Sequence, residues 1–376
     1  MIPRLRFAAI AVALVCGLVP AGAQSSSSSF AILSVTYTDA QHVWVLGLPC
    51  ADQPTCSRLV VRGSADGGHT WPVRHPVTAL PSFLGKGQSQ PYVGKLQYAT
   101  PHDAYAFGPA LVTSHDGGKT WAWQKGIGAV EALEPVGNQL WAVSDLCAHA
   151  GACPVYLYRS PASYDAWQRS ALPLRSPAGS VQIGSGAQIV SASDGHVWIL
   201  AQQMTAGAQM FRSTLIGMTT SGRTWLRLPD PCTPAESNID RLTARDGIHI
   251  WLVCGGQPSA GGELFSLYRS PDGGRHWHIV ASNDKRPGVP HFVYGGYVDS
   301  LAVTGAQIAW FSLDRGTLYT TTDGGRNWRL GIHQAVSDST VGPVLFATPS
   351  HGWFASYPNV IFRTVNSGQS WQRVGL

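Results

Sequence analysis

Ser270-Pro-Asp-Gly-Gly-Arg-His-Trp277 is the stretch that decides the fold, because close copies of it recur along the 376-residue chain. The other clear copies are Ser64–Trp71, Ser114–Trp121 and Thr321–Trp328. Their last residues belong to a series of tryptophans that recurs about every fifty residues: Trp71, Trp121, Trp167, Trp225, Trp277, Trp328 and Trp371. A fixed period of this length indicates a repeat architecture.

The eight-residue phrase predicts a tight turn that leads into a strand. Asp-Gly between two apolar runs favours a hairpin turn, since both residues tolerate the backbone angles that such turns need. Glycine fills the fifth position in six copies, as expected where φ is positive: Gly68, Gly118, Gly222, Gly274, Gly325 and Gly368. We therefore expect a structural role for the residues of the clear copies: Asp66, Asp116, Asp272, Asp323, Trp71, Trp121, Trp277 and Trp328.

A second apolar pattern runs in phase with the first. An aromatic residue centres a short apolar run before each phrase: Trp44, Tyr105, Trp141, Trp198, Trp251, Trp310 and Trp353. In the sixth unit, the sequence predicts strands over residues 297–303, 308–312, 317–321 and 327–330. Four strands per unit, seven units and no helical periodicity predict an all-β fold, a seven-bladed β-propeller of four-stranded antiparallel blades. All tryptophans except Trp123 belong to one pattern or the other, which favours core packing over ligand stacking.

The phrases resemble the Asp-box, also called the BNR repeat, over roughly residues 30–376. Asp-boxes occur in sialidases, in the luminal propeller of sortilin, in some xyloglucan-cleaving glycoside hydrolases and in the photosystem II assembly and stability factor family. One box in nearly every blade of a single ring is most similar to the last family and its bacterial relatives. The resemblance implies that the boxes are structural turns lying away from the binding site. That family binds its partner through a basic surface patch, to which the sequence assigns no residue here.

The related enzymes carry features that this sequence does not share. Sialidases contain an Arg-Ile-Pro segment near the start of the domain, and no Arg-Ile-Pro occurs here. The 376 residues form one predicted ring, whereas the xyloglucan-cleaving enzymes have two propellers. Both differences favour a non-catalytic protein.

Residues 1–23 are expected to be a secretory signal peptide. Arg4 and Arg6 precede a short apolar stretch, and small residues ending at Ala23 supply a cleavage site. Residues 24–29 form a Ser-rich lead. We therefore expect a secreted or periplasmic protein whose propeller spans residues 30–376. The alternative, a lipoprotein anchored through Cys16, is disfavoured because Val15 is a poor residue before a lipidated cysteine.

The six cysteines that follow the leader suit disulfides, because an exported protein meets oxidising conditions. Two pairs are close in sequence, each between the second and third strands of a blade, and the remaining two cysteines form a third pair. The predicted disulfides are Cys50–Cys56, Cys147–Cys153 and Cys232–Cys254. A metal site is the alternative, but the spacings match no zinc pattern. We expect no metal and no cofactor.

The net charge is +5 and falls to +3 once the two leader arginines are removed. This mild charge, with no basic run, does not indicate a nucleic-acid partner. No segment after the leader is long and apolar enough to predict a membrane span. We expect a monomer.

The topology predicts which face binds a partner. In a four-stranded meander, the first-to-second and third-to-fourth turns share one face, and the remaining loops and links share the other. The long segments fall on the second face, as insertions at a binding face often do: 49–57, 76–94, 147–154, 229–238, 255–262 and 282–296. We expect a protein or glycan partner to bind there through these residues, although an ordinary polar surface is the alternative: Asp284, Lys285, Arg286, His291, Tyr294, Tyr297, Lys86, Tyr92 and Lys95.

Catalysis on a glycan would require a pair of carboxylates across the scissile bond. The candidates lie near the starts of blades whose first strands line the central channel: Glu131, Glu134, Asp240 and Asp299. Solvated or channel-lining acids are the alternative. His276 and His278 share one strand face, which permits a metal pair, but His276 fills a box position usually taken by threonine, which favours a turn role.

The sequence therefore predicts an exported, non-catalytic propeller of assembly-factor or scaffold type. It would bind a protein or other macromolecule on the face opposite the Asp-boxes. The alternative is a glycan-active or glycan-binding propeller of the glycoside hydrolase or sialidase type.

Overall fold

The computed structural model describes residues 30–49, 58–80, 93–145, 155–174, 187–204, 211–218, 224–236, 238–256, 261–332, 341–356 and 360–376. The predicted leader, Lys86, Tyr92 and the cysteine pairs Cys50–Cys56 and Cys147–Cys153 lie outside these residues. Within them, the chain forms seven separate four-stranded antiparallel sheets. The predicted all-β, seven-bladed propeller is confirmed.

Each blade is built from four consecutive strands. Blade one contains β1 (Ala31–Tyr37), β2 (Val43–Leu48), β3 (Val60–Ser64) and β4 (Val73–Pro76). Blade two contains β5 (Lys95–Tyr98), β6 (Ala104–Phe107), β7 (Val112–Ser114) and β8 (Ala122–Trp123). Blade three contains β9 (Ala129–Val136), β10 (Gln139–Asp145), β11 (Val155–Pro161) and β12 (Gln168–Ala171). Blade four contains β13 (Gln188–Ser191), β14 (Val197–Met204), β15 (Phe211–Met218) and β16 (Trp225–Arg227).

The last three blades follow the same plan. Blade five contains β17 (Asn238–Ala244), β18 (Ile250–Gly255), β19 (Phe265–Ser270) and β20 (His278–Ser282). Blade six contains β21 (Val298–Gly305), β22 (Ile308–Leu313), a short 3-10 helix (Asp314–Gly316), β23 (Thr317–Thr321) and β24 (Arg329–Ile332). Blade seven contains β25 (Val341–Phe346), β26 (Gly352–Ser356), β27 (Val360–Thr364) and β28 (Gln372–Val374).

The first strand of each blade is the inner one, because the first strands of neighbouring blades pack against each other. The Asp-box turns therefore lie on one face of the ring, and the second-to-third loops and blade links lie on the other. Most outer strands begin one or two residues after the box tryptophan rather than at it; β24, for example, starts at Arg329. In blade six, β21 and β22 reach Gly305 and Leu313, beyond the predicted ends, because β-bulges lengthen the ladder.

The Asp-box is a network of hydrogen bonds around one carboxylate. In blade two, Ser114 Oγ donates to Asp116 Oδ1 (2.8 Å), and the Gly118 amide donates to Ser114 Oγ (2.9 Å). Asp116 also accepts from the amide (2.9 Å) and hydroxyl (2.7 Å) of Thr120. These donors, the Thr120 amide first, lower the pKa of Asp116 to about 2. The carboxylates of the other clear copies make matching bonds: Asp66, Asp272 and Asp323.

In blades one, six and seven, a second reason besides positive φ explains why the fifth position of the box is a glycine. The second-strand tryptophan of the preceding blade lies against it. A Cβ on Gly368 would lie 2.8 Å from Trp310 Nε1, and one on Gly325 would lie 2.8 Å from Val280 Cβ and 3.4 Å from Trp251 Cη2. A Cβ on Gly68 would lie 3.4 Å from Trp353 Nε1. In these three boxes, the turn therefore packs against the indole of the preceding blade.

The ring closes by the same contact. Trp353 of blade seven donates from Nε1 to the Gly67 carbonyl of blade one (3.0 Å) and stacks on Tyr37 with ring centroids 5.7 Å apart. The Tyr37 hydroxyl donates to the Phe346 carbonyl (2.8 Å). No strand is exchanged between the ends of the described chain, because β1 and β28 belong to different sheets. Side-chain packing therefore closes the ring.

No helix among the described residues is both long and apolar enough to cross a bilayer.

Candidate functional site

The candidate site lies on the loop-rich face at blades five and six. Two segments build it: the link that runs from Ser282 at the end of β20 to Tyr297 before β21, and the second-to-third loop of blade five up to Phe265. Of the predicted binding residues, six are on the link and one, Lys95, begins β5 in blade two.

Phe292 anchors the middle of the link. Its ring is buried among Phe265, Phe311 and Tyr319, with centroids 5.6, 5.5 and 4.6 Å away. The Tyr319 hydroxyl also accepts a hydrogen bond from the Tyr294 amide (2.9 Å). These contacts fix the backbone on either side of Phe292 against blades five and six.

A buried ion pair holds the start of the link. Arg286 Nη2 lies 2.7 Å from Glu236 Oε1, and Glu236 is 1% exposed. Glu236 Oε2 accepts from the Thr233 amide (2.9 Å) and from the Tyr268 hydroxyl (3.2 Å). Thus Arg286, predicted as a binding residue, ties the link to the segment that enters blade five. Asp284 lies at the exposed end of this pair, 3.5 Å from Arg286 Nε.

The loop and the link form one unit. The Glu263 amide donates to the Gly296 carbonyl (3.1 Å), and Glu263 Oε1 accepts from the Val298 amide (2.6 Å). Asn283 of the link donates to the Glu263 carbonyl (2.7 Å) and accepts from the Phe265 amide (2.8 Å).

Three large apolar side chains project from this unit into solvent. Leu264 is 47% exposed, Val293 79% and Tyr294 36%. We call these three residues the apolar patch. The polar residues Lys285 and His291 are exposed beside it on the link, whereas Tyr297 is half-buried.

Four carboxylates interact electrostatically near the starts of the inner strands of blades five and six, a cluster that we call the channel mouth. Asp240 on β17 and Asp299 on β21 belong to it, together with Glu263 and Asp314. Burial raises the pKa of Asp299 to about 6 and that of Glu263 to about 7. Arg241 opposes both shifts with its positive charge, while its Nε donates to the Asp299 carbonyl (2.7 Å).

The other two predicted catalytic acids lie on β9 in blade three. Glu134 accepts from Ser191 Oγ (2.9 Å), and burial raises its pKa to about 7. Lys95 Nζ donates to the Glu131 carbonyl (2.9 Å), which joins blades two and three. Desolvation lowers the pKa of the Lys95 ammonium, and the positive charge of Arg241 acts in the same direction. Lys95 and the apolar patch are therefore on different blades.

The described residues do not bring the channel acids together as metal ligands. One group of three possible ligands lies within 4.8 Å, and it consists of Asp230, Cys232 and Cys254. The two sulfurs of this group form a disulfide that joins the entering link to β18, with Cα atoms 5.4 Å apart. They are not available as thiolate ligands. The other two predicted disulfides lie outside the described residues and stay predictions.

His276 belongs to the box of blade five. Its Nδ1 lies 2.5 Å from Asp272 Oδ2, at the place where Thr120 bonds Asp116 in blade two. His278 begins β20 and is exposed.

Sequence reasoning missed Glu236, Glu263, Asp314 and Leu264. Glu236 lies in a long segment that the sequence did identify, 229–238, where it is one of two acids, and Glu263 lies one residue beyond another, 255–262. Their contacts span 17 to 50 residues, so no local pattern marks them.

No family model matches the chain. A region of 209 residues is 26% identical to the photosystem II stability/assembly factor HCF136, chloroplastic, of Oryza sativa subsp. japonica. The match covers 55% of this chain and 42% of that protein, so the chain matches less than half the length of this curated relative.

Solved structures share the fold over nearly the whole chain. YCF48 bound to D1 peptide superposes with a TM-score of 0.56 at 17% identity, over 90% of this chain and 94% of that one. A PL25 ulvan lyase bound to -[GlcA(1-4)Rha3S]- superposes with a TM-score of 0.57 at 10% identity, over 93% of each chain. The resemblance to the HCF136 and YCF48 assembly factor is confirmed. At these identities, the structural likeness shows the fold alone.

Proposed function

We propose that this chain is an exported, non-catalytic propeller that binds a protein partner on its loop-rich face, with the apolar patch at the centre of contact. This proposal depends on one observation: Leu264, Val293 and Tyr294 are each exposed on two segments that hydrogen bonds join to each other. Apolar groups exposed together and rimmed by polar residues are typical of interaction sites.

The rigidity of the patch supports this proposal. Phe292, the Arg286–Glu236 pair and the Glu263 hydrogen bonds hold its backbone before any partner arrives. A pre-organised surface loses little conformational entropy on binding. The exposed Lys285 and His291 supply a polar rim.

The resemblance to assembly factors supports a protein segment as the partner. One structural neighbour is described as bound to a peptide, and the curated relative is described as a stability and assembly factor. We therefore propose an assembly-factor or scaffold role with a protein segment as partner, and a secreted or periplasmic location after cleavage near Ala23. Mass measurement of the protein's N-terminus in its native host tests the cleavage.

A pull-down of the mature protein from its native envelope tests the binding surface. Val293→Asp should abolish capture of the partner, because it places a charge in the apolar contact. Val365→Asp is the matched control, since Val365 is 50% exposed but lies in the box turn of blade seven on the opposite face. Equal capture by the wild type and Val293→Asp, or selective loss with Val365→Asp, would contradict the proposal.

A glycan-active propeller is the second candidate. Two carboxylates with raised pKa, Asp299 and Glu263, lie beside Arg241, and a lyase for an acidic polysaccharide shares the fold. Such groups can act as proton donors or acceptors near neutral pH. A screen of uronate-containing polysaccharides and xyloglucan separates the candidates. Turnover that Asp299→Asn or Asp240→Asn abolishes would replace the non-catalytic proposal.

A further inference from the structure

An arginine covers the indole at several blade junctions. In blades three, five and seven, the residue just before the box is an arginine, and in two of them the stacking is direct. The guanidinium carbon of Arg159 lies 4.0 Å from the Trp141 ring centroid, and that of Arg269 lies 5.7 Å from the Trp251 ring centroid.

Arg269 and Arg363 also reach the fourth-position glycine of the next box. A Cβ on Gly324 would lie 2.6 Å from Arg269 Nη1, and one on Gly67 would lie 3.2 Å from Arg363 Nη2. The guanidinium of Arg269 therefore occupies a defined slot between the indole of blade five and the turn of blade six.

Four blades have another residue at the position before the box: Gly63, Thr113, Gly217 and Thr320. The junction between blades four and five is therefore one of those that lack this arginine. Gly217 stands at the equivalent position, before the eroded box. A Cβ on Gly273, the fourth-position glycine of the blade-five box, would meet only the Gly247 carbonyl, at 2.9 Å. A pocket of about 460 Å³ opens here, and its lining includes Trp198, Gly217 and Gly273.

We propose that this pocket binds the guanidinium group of an arginine side chain from another protein. The space over Gly217 and Gly273 corresponds to the space that Arg269 fills at the junction of blades five and six. A guanidinium is planar and stacks on indole rings, which favours it over the compact ammonium of lysine. The apolar walls formed by Leu226 and Ile248 suit the aliphatic stem of arginine.

The charges around the pocket are compatible with a cation. Asp272 contributes a negative charge to the lining, and Arg275 a positive one. A second arginine also lies near the slot that Arg269 fills: burial lowers the pKa of Arg269, and the nearby charge of Arg326 lowers it further. The pocket lies at an Asp-box turn, on the face opposite the apolar patch, so it is independent of the proposed function.

Titration of the mature protein with N-acetyl-arginine methylamide, followed by the NMR signal of the Trp198 indole N–H, tests the site. We expect a saturable shift in the millimolar range and a weaker response to N-acetyl-lysine methylamide. Gly217→Arg should abolish the response because it fills the slot from within. Gly217→Ala should retain it.

Both variants are expected to fold, because Gly217 does not have a positive φ and its added Cβ would lie 3.1 Å from the flexible end of Leu228 and 3.2 Å from Trp198 Cδ1 and Nε1. Shifts of a few tenths of an ångström relieve these contacts, so each variant's own unliganded Trp198 signal is the reference for its titration. An absent Trp198 response, or an undiminished one in Gly217→Arg, would overturn the proposal. Tighter binding of free arginine than of the blocked derivative would overturn the assignment to a protein side chain.

Discussion

In the Asp-boxes, single side chains act by accepting hydrogen bonds from the backbone amides of the turn. The sequence identified the box residues correctly as a hydrogen-bonded turn, because position one, position three and the glycines are local features. It could not show that side chains of the preceding blade also exclude a Cβ at Gly325 and Gly368, since the excluding residues, Val280 and Trp310, lie 45 and 58 residues away. The glycine is thus required for two reasons, one local and one tertiary.

Asp116→Ala should lower the free energy of unfolding by about 1–2 kcal/mol, as loss of a capping side chain does. The reason is that the Thr120 amide and hydroxyl lose their acceptor. Urea unfolding measures the change. Lys119→Ala, in the same turn, is the control and should stay close to wild type; an equal loss in both variants would contradict the role of the carboxylate.

Glu134 makes stability depend on pH. Its folded-state pKa is about 7, above the ordinary 4.5, so the folded state holds this proton more tightly than the unfolded state does. Its contribution to stability is therefore present at low pH and is lost as pH rises from about 4.5 to about 7. Glu134→Gln should be more stable than wild type by about 1–3 kcal/mol at about pH 8 and close to wild type at about pH 4.

Urea unfolding of both proteins across this range checks the Glu134 prediction. The other raised carboxylates, Asp299 and Glu263, are common to both proteins and cancel in the difference. A stability difference that does not change with pH would contradict it.

At the scale of single elements, the 282–297 link shows which features the sequence could predict and which it could not. Its richness in charged and aromatic residues predicted a surface segment, and Lys285 and His291 are indeed exposed. The direction of the Arg286 side chain could not be read from the sequence, because it depends on Glu236, fifty residues earlier. Arg286 points to that carboxylate, and the exposed apolar residue Val293 was overlooked among polar neighbours.

Arg286→Ala should destabilise the protein by about 2–4 kcal/mol, because it leaves the buried Glu236 carboxylate without its cation. It should also speed proteolysis within the link. Lys285→Ala is the matched neighbour and should change stability by less than about 0.5 kcal/mol. Urea unfolding and timed proteolysis measure both effects. Unchanged proteolysis of the link in Arg286→Ala would show that the ion pair does not hold it.

At the scale of the whole molecule, the periodicity of the sequence predicted the fold, but it did not predict how the ring closes. Seven tryptophan-ended turns predicted seven blades, and the structure contains seven. The contact of Trp353 with Gly67 joins positions 286 residues apart, so only the three-dimensional ring reveals it. The same limit applies to the channel mouth, where Asp240, Glu263, Asp299 and Asp314 come from different strands and loops.

Trp353→Ala should cost about 3–5 kcal/mol, the range for deleting a large buried aromatic. The loss reflects the junction that joins the last blade to the first, where Trp353 is 1% exposed. Trp123→Ala is the control, because Trp123 lies outside the repeat pattern and is half-buried; its cost should be clearly smaller. Equal costs in urea unfolding would mean that the junction adds nothing to closure.

Amide hydrogen exchange of the mature protein, alone and with the partner captured from its envelope, tests the central claim most directly. The account predicts that the partner protects residues 261–265 and 291–297, which carry the apolar patch, and leaves the Asp-box turns unchanged. Protection concentrated in the turns at 114–121 and 270–277, with none at the patch, would contradict it.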